Sequence, residues 1–220
     1  MNSQTYKLLL ACLCASLSQA FPQLTANIPA PVSPYIAQIP PYADWVVQTA
    51  PGKPTKAGED KSNPAKSLQV QTTRTKDIRR VIVTGENIRK ETWIIGTLSF
   101  NADEGDTVAV NDIQIDQYFE FHSLADFPGF SWMNASNYVG VETFDKAACY
   151  HFKEKDNEAW IDVKSKLPVA LVNGDTTLRY IFNPPPTAVL VLPDLVQRSY
   201  DQYNRTYLRA KRIEEDAKHQ

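Results

Sequence analysis

Few residues in this chain have the types and spacing that catalysis or metal binding requires. Its three histidines, His122, His151 and His219, lack the close spacing of metal ligands. No Gly-x-Ser-x-Gly elbow, Gly-rich phosphate loop or His-Glu-x-x-His helix occurs. Carboxylates are plentiful, but a hydrolytic reading needs two of them to share a cleft, which sequence alone does not supply. Cys149 is the only cysteine beyond residue 20, so no internal disulfide is expected. It lies in a strand and reads as a small buried apolar residue rather than a reactive thiol. The expectation is a non-enzymatic protein with no catalytic residue, metal or cofactor.

The remaining candidates are aromatic. In Phe121–Trp132 (FHSLADFPGFSW), Pro128-Gly129 suits the centre of a type II turn, with Phe127 and Phe130 flanking it and Trp132 just beyond. Such a loop either plugs the end of a β-structure or lines a binding mouth. Near the C-terminus, Val196, Tyr200, Tyr203 and Tyr207 recur at helical spacing and form an apolar stripe with Ala210. The candidate ligand-contacting residues are therefore Phe127, Phe130, Trp132, Tyr200, Tyr203 and Tyr207.

The elements that must position them are mostly strands. Runs rich in β-branched and aromatic residues fall at Tyr42–Thr49, Ser67–Arg74, Ile78–Thr84, Arg89–Thr97, Thr107–Asn111 and Gln117–His122. Five more follow at Tyr138–Phe144, Ala147–Lys153, Glu158–Val163, Leu167–Val172 and Thr176–Phe182. Tight polar turns separate them, among them Lys164-Ser165-Lys166 and an Asn173-Gly174 pair that suits a type I′ hairpin. Alternation is imperfect: Trp160 lies opposite Ala159, Ile161 and Val163, and Cys149 opposite Ala148, Tyr150 and Phe152. Apolar residues on both faces predict an antiparallel sheet that is curled on itself or covered on both sides. Asp194 is a candidate N-cap, with Gln197 at the capping-box position, for a C-terminal helix over 194–215.

Residues 1–20 read as a secretory signal. Lys7 precedes an apolar core, Leu8–Leu17, and Ser18-Gln19-Ala20 offers a cleavage site, while Cys12 in Leu9-Leu10-Ala11-Cys12 has a lipobox-like setting. Nine of the fifteen prolines lie between Pro22 and Pro64. They predict an extended arm over 21–42, and a charged loop spans 51–66. A single domain over 43–220 then suffices. The net charge of −2, with both signs scattered, gives no reason to expect nucleic acid. The protein is expected to be exported, to the periplasm or outside the cell, and not integral to a membrane.

The segment Glu158–Leu171 (EAWIDVKSKLPVAL) resembles the Trp-Ile-Asp…Leu-Pro-Val strand-turn-strand of exported bacterial proteins similar to the outer-membrane lipoprotein carrier superfamily. The matching residues are Trp160, Ile161, Asp162, Leu167, Pro168 and Val169. The resemblance implies a strongly curved half-barrel whose hollow, closed by helix and loop, holds lipid or acyl chains. It carries over no catalytic residue. Two functional readings follow: binding of a hydrophobic ligand in the hollow, or a cell-envelope interaction module with a filled core. An apolar void beneath the sheet favours the first, and a packed interior the second.

Overall fold

The computed structural model describes residues 28–51, 67–111 and 126–218. The signal-like segment, most of the charged loop, and the strand expected at Gln117–His122 lie outside them. The described strands are β1 (Tyr42–Pro51), β2 (Leu68–Thr75), β3 (Ile78–Thr84), β4 (Arg89–Ile95), β5 (Leu98–Asn101) and β6 (Val110–Asn111). After a 3₁₀ turn at Ala135–Asn137 come β7 (Tyr138–Phe144), β8 (Ala147–Glu154), β9 (Asn157–Asp162), β10 (Pro168–Asn173) and β11 (Thr176–Asn183), then helix α1 (Asp194–Lys218).

All eleven strands form one antiparallel sheet in the order β6-β5-β4-β3-β2-β1-β11-β10-β9-β8-β7. Two meanders are therefore joined at their beginning and end, by β1 pairing with β11 from Asp44↔Asn183 to Pro51↔Thr176. Among the described residues the sheet ends on β6 and β7, and it is an open half-barrel rather than a closed one. One apolar cluster runs from Ile94 on β4 to Tyr150 and Phe152 on β8. At about 4.8 Å per strand spacing, eight flat strands would spread these side chains over roughly 35 Å; curvature brings them together.

The register sorts the faces. Ala43, Trp45, Val47, Val70, Val81, Ile161, Leu171 and Tyr180 line the inner face. Trp93 and Phe100 point the other way. There they form a second cluster with Val196, Leu195 and Tyr200 of α1 and with Leu190 and Leu192 before it. The helix thus packs on the outer face of β4 and β5 and does not close the hollow. Non-helical segments do so instead: Tyr35, Ile36 and Ile39 of the arm, and Phe127, Phe130, Trp132 and Met133 of the loop. The reason lies in the chain path. Residues 184–193 carry the chain from β11 to the outer side, where Leu190 N donates to Thr75 Oγ1 at 2.8 Å.

Three local expectations are corrected. The run Arg89–Thr97 and the residues after it form a hairpin, with Gly96 at φ +59 in the turn between β4 and β5. Its continuous apolar sequence hid that turn. The β10–β11 loop is Gly174-Asp175, because Asn173 pairs with Thr176. Gly174 alone takes positive φ (+57), the pattern of a Gly-first loop rather than type I′. The capping box of α1 is not formed: Gln197 donates to Asp201 instead, and Asp194 sits within the first turn, where its charge complements the helix dipole. Elsewhere the turn chemistry is as the sequence implies. Asp162 Oδ1 accepts from Lys164 N, Ser165 N and Ser165 Oγ at 3.1, 2.7 and 2.8 Å, so this motif carboxylate organises the turn into β10.

Gly174 has open space around the position of a Cβ, so only its backbone conformation resists substitution. Gly174→Val is expected to destabilise the protein by about 1–2 kcal/mol, the cost of a left-handed β-branched residue. The denaturant midpoint measures this, and an unchanged midpoint would mean that the loop relaxes freely.

Candidate functional site

The loop 126–133 turns at Pro128-Gly129, with Gly129 at φ +90, as a type II turn requires. Glycine is needed there twice over, since a Cβ would meet Leu171 Cδ2 at 2.9 Å. The turn drives its aromatics into the inner face. Phe127 makes edge contacts with Trp45, Tyr180 and Phe182 at centroid distances of 6.1, 5.8 and 5.9 Å. Phe130 is 6% exposed and lies 5.8 Å from Tyr180. Burial pushes the Tyr180 phenol well above its ordinary value. Trp132 is partly buried in the same cluster, with its Nε1 buried and lacking a hydrogen-bond partner. Across the hollow, Tyr35 of the arm packs edge-on against Phe152 at 5.1 Å.

The helix candidates are elsewhere. Tyr200 packs against Phe100 at 6.1 Å on the outer face. Tyr203 and Tyr207 stack on each other at 6.4 Å, and Tyr207 is 56% exposed. The structure therefore unites the loop trio and separates it from the helix trio. Sequence reasoning missed the arm residues Tyr35, Ile36 and Ile39, whose signal was their apolar character between prolines. It also missed Arg74, Arg79 and Asp126. Asp126 Oδ1 accepts from Arg79 Nη2 at 2.7 Å, and both its oxygens accept from Arg74 Nη1 at 3.1 Å, beside Phe127.

The outer face carries two polar clusters. His151, 8% exposed, stacks on Trp160 at 4.8 Å and 5°. Its Nδ1 is 3.4 Å from Glu142 and its Nε2 3.3 Å from Glu158. Trp160 Nε1 donates to Glu142, and Lys153 Nζ donates to Glu158 at 2.8 Å. In the second cluster, Arg80 Nε and Nη2 clasp Glu91 at 3.0 and 2.9 Å, and Trp93 Nε1 donates to Glu91 at 2.8 Å. Two carboxylates thus flank His151, each also engaged by a neighbour, while the buried His151 Nε2 has no hydrogen bond of its own. Among the described residues no group of histidine, cysteine and carboxylate side chains could hold a metal. Cys149 is buried, and burial together with nearby Asp162 pushes its thiol up to about 11, which keeps it protonated and unreactive at neutral pH.

These networks make stability pH-dependent. Burial raises the Glu91 carboxyl, but hydrogen bonds from Arg80 and Trp93 and the charges of Arg80 and Arg89 outweigh it and leave it below its ordinary 4.5. At Glu158 burial is likewise outweighed, by Lys153 and His151. A lowered folded value means stability that is fully present above the unfolded value and lost as pH falls through the folded one. Stability is therefore expected to decline below about pH 4.5. Arg80→Met should flatten part of that decline in acid-denaturation curves; an unaltered slope would remove Glu91 as a contributor.

No family model matches the chain, and no curated protein matches it. Among solved structures it is similar to a LolA superfamily protein from Nitrosomonas europaea, at 10% identity over 71% of this chain and 90% of that one, with a TM-score of 0.29. Among the described residues no helix is long and apolar enough to cross a membrane.

Proposed function

We propose that this protein acts after export as a non-enzymatic binder of an apolar chain, lipid or acyl, held against the inner face of the half-barrel. One observation carries the reading: a continuous apolar wall is covered by segments that add no strand to the sheet. A cover of that kind can lift without breaking the strand ladder. The arm's backbone bonds go to turns between strands, from Ala37 N to Lys166 O at 2.9 Å and from Lys76 N to Pro41 O at 2.8 Å, and the loop meets the sheet through its side chains. The closed state also leaves Trp132 Nε1 of the loop buried without a partner, at a cost of about 1–3 kcal/mol. An incoming chain gains about 0.8 kcal/mol per buried methylene, so an acyl chain of ordinary length can compete with the cover.

The filled-core interaction module is the second reading, favoured by the close aromatic packing of the cover and by exposed apolar residues at the far end of α1, Tyr207, Leu208 and Ile213. Mass spectrometry of organic extracts from natively purified protein and titration with a fluorescent fatty acid separate the two. Saturable uptake with co-purifying lipid is expected. No uptake and no extracted lipid would leave the interaction module.

A further inference from the structure

The loop that covers the hollow brings its own anion with it. Arg74 and Arg79 are direct cross-strand partners on β2 and β3, in the inner-face row that runs from Ala43 to Ile94. Like charges directly opposed on an antiparallel pair are destabilising. These two are also largely withdrawn from water, with side chains 27% and 15% exposed. Burial lowers the Arg79 pKa, and the Arg74 charge adds to this, against the opposing pull of Asp126. Asp126, from the cover, answers both guanidiniums at 2.7–3.1 Å. The next residue, Phe127, lays its ring on Trp45, Tyr180 and Phe182. An anionic head followed at once by an apolar body is the chemical plan of a fatty acid.

We propose that Asp126-Phe127 is a built-in stand-in for an anionic single-chain amphiphile, whose carboxylate or phosphate head replaces Asp126 on Arg74 and Arg79 while its chain replaces the loop aromatics on the inner wall. The inference rests on the reading that the hollow accepts an apolar chain, and adds the head group. Charge gives the selectivity. A neutral chain that lifts the cover takes the Asp126 carboxylate from the part-buried Arg74, beside the Arg79 charge, and supplies no anion in its place. An anionic chain restores charge-assisted hydrogen bonds to both.

The test is displacement of a bound fluorescent fatty acid by oleate, 1-oleoyl-lysophosphatidate and methyl oleate, with the wild type, Arg74→Gln, Arg74→Lys and Asp126→Asn. Wild type should prefer the anionic ligands by about tenfold or more over the methyl ester, as one charged hydrogen bond implies. Arg74→Gln should abolish most of that preference, and Arg74→Lys, which keeps the charge, should retain it. Asp126→Asn, which weakens the competing internal anion, should tighten anionic binding. Comparison of oleate with the lysophosphatidate tells which head is preferred. Equal binding of oleate and methyl oleate, or a preference unchanged in Arg74→Gln, would overturn the head-group site while leaving the apolar hollow intact. If the probe itself does not bind, the hollow and the head-group site fail together.

Discussion

Phe130→Asp is expected to lower stability by about 3–5 kcal/mol, the usual cost of deleting a buried phenylalanine ring, and to raise binding of an apolar dye at the same time. The ring is 6% exposed and packed on Tyr180, and the backbone around it is fixed by Gly129 against Leu171 and by Met133 N donating to Phe130 O at 3.1 Å. A carboxylate cannot remain there at acceptable cost. It reaches water only if the loop lifts, and lifting exposes the inner wall formed by Trp45, Leu171 and Tyr180. The sequence alone left plug and mouth as alternatives for this loop; its packing is that of a plug. Urea denaturation and dye fluorescence measure the two effects. A variant with an unchanged midpoint and no added dye binding would show that the ring is solvated and that the loop is a mouth after all.

Trp160→Ala is expected to cost about 3–5 kcal/mol without altering amphiphile binding. The indole is 5% exposed, held between His151 at 4.8 Å and Phe144 at 4.6 Å, and donates to Glu142. It faces the outer side of β9 with Cys149, Ala170 and Val172, away from the hollow. Removing it opens a cavity between the aromatic neighbours and leaves Glu142 and His151 without their common partner. Trp160→Phe keeps the stack and loses the hydrogen bond, for about 1 kcal/mol. Denaturant midpoints of both variants, together with fatty-acid titration, check this. Loss of binding in a fully folded Trp160 variant would mean that the outer face, not the inner, meets the ligand.

Strand positions in this chain are a local property. Runs such as Ile78–Thr84 and Tyr138–Phe144 coincide residue for residue with the strands formed, because β-branched and aromatic residues bounded by turn formers leave the backbone little alternative. Apolar residues on both sides of Ala147–Lys153 and Glu158–Val163 already demanded burial on both faces, and the structure buries Tyr150, Phe152 and Ile161 on the inner one and Cys149 and Trp160 on the outer, the latter among side chains of the sheet itself. The turn at Pro128-Gly129 and the burial of Cys149 were legible for the same local reasons. What covers each face was not. The stripe Val196-Tyr200 states that α1 needs an apolar partner, but the inner and outer walls are both apolar, so periodicity does not distinguish them. The path of residues 184–193 and the bond from Leu190 to Thr75 placed the helix outside. The Pro-rich arm read only as extended, whereas Ile39 is buried in the inner cluster and Tyr35 and Ile36 pack against it. Arg74, Arg79 and Asp126 are separated by up to fifty-two positions and carry no motif. The β2–β3 register sets the two arginines side by side, and the loop brings the Asp126 carboxylate to them. Local composition decides where strands and turns form; which side chains meet across a curved sheet is decided by register and by the path of the connections.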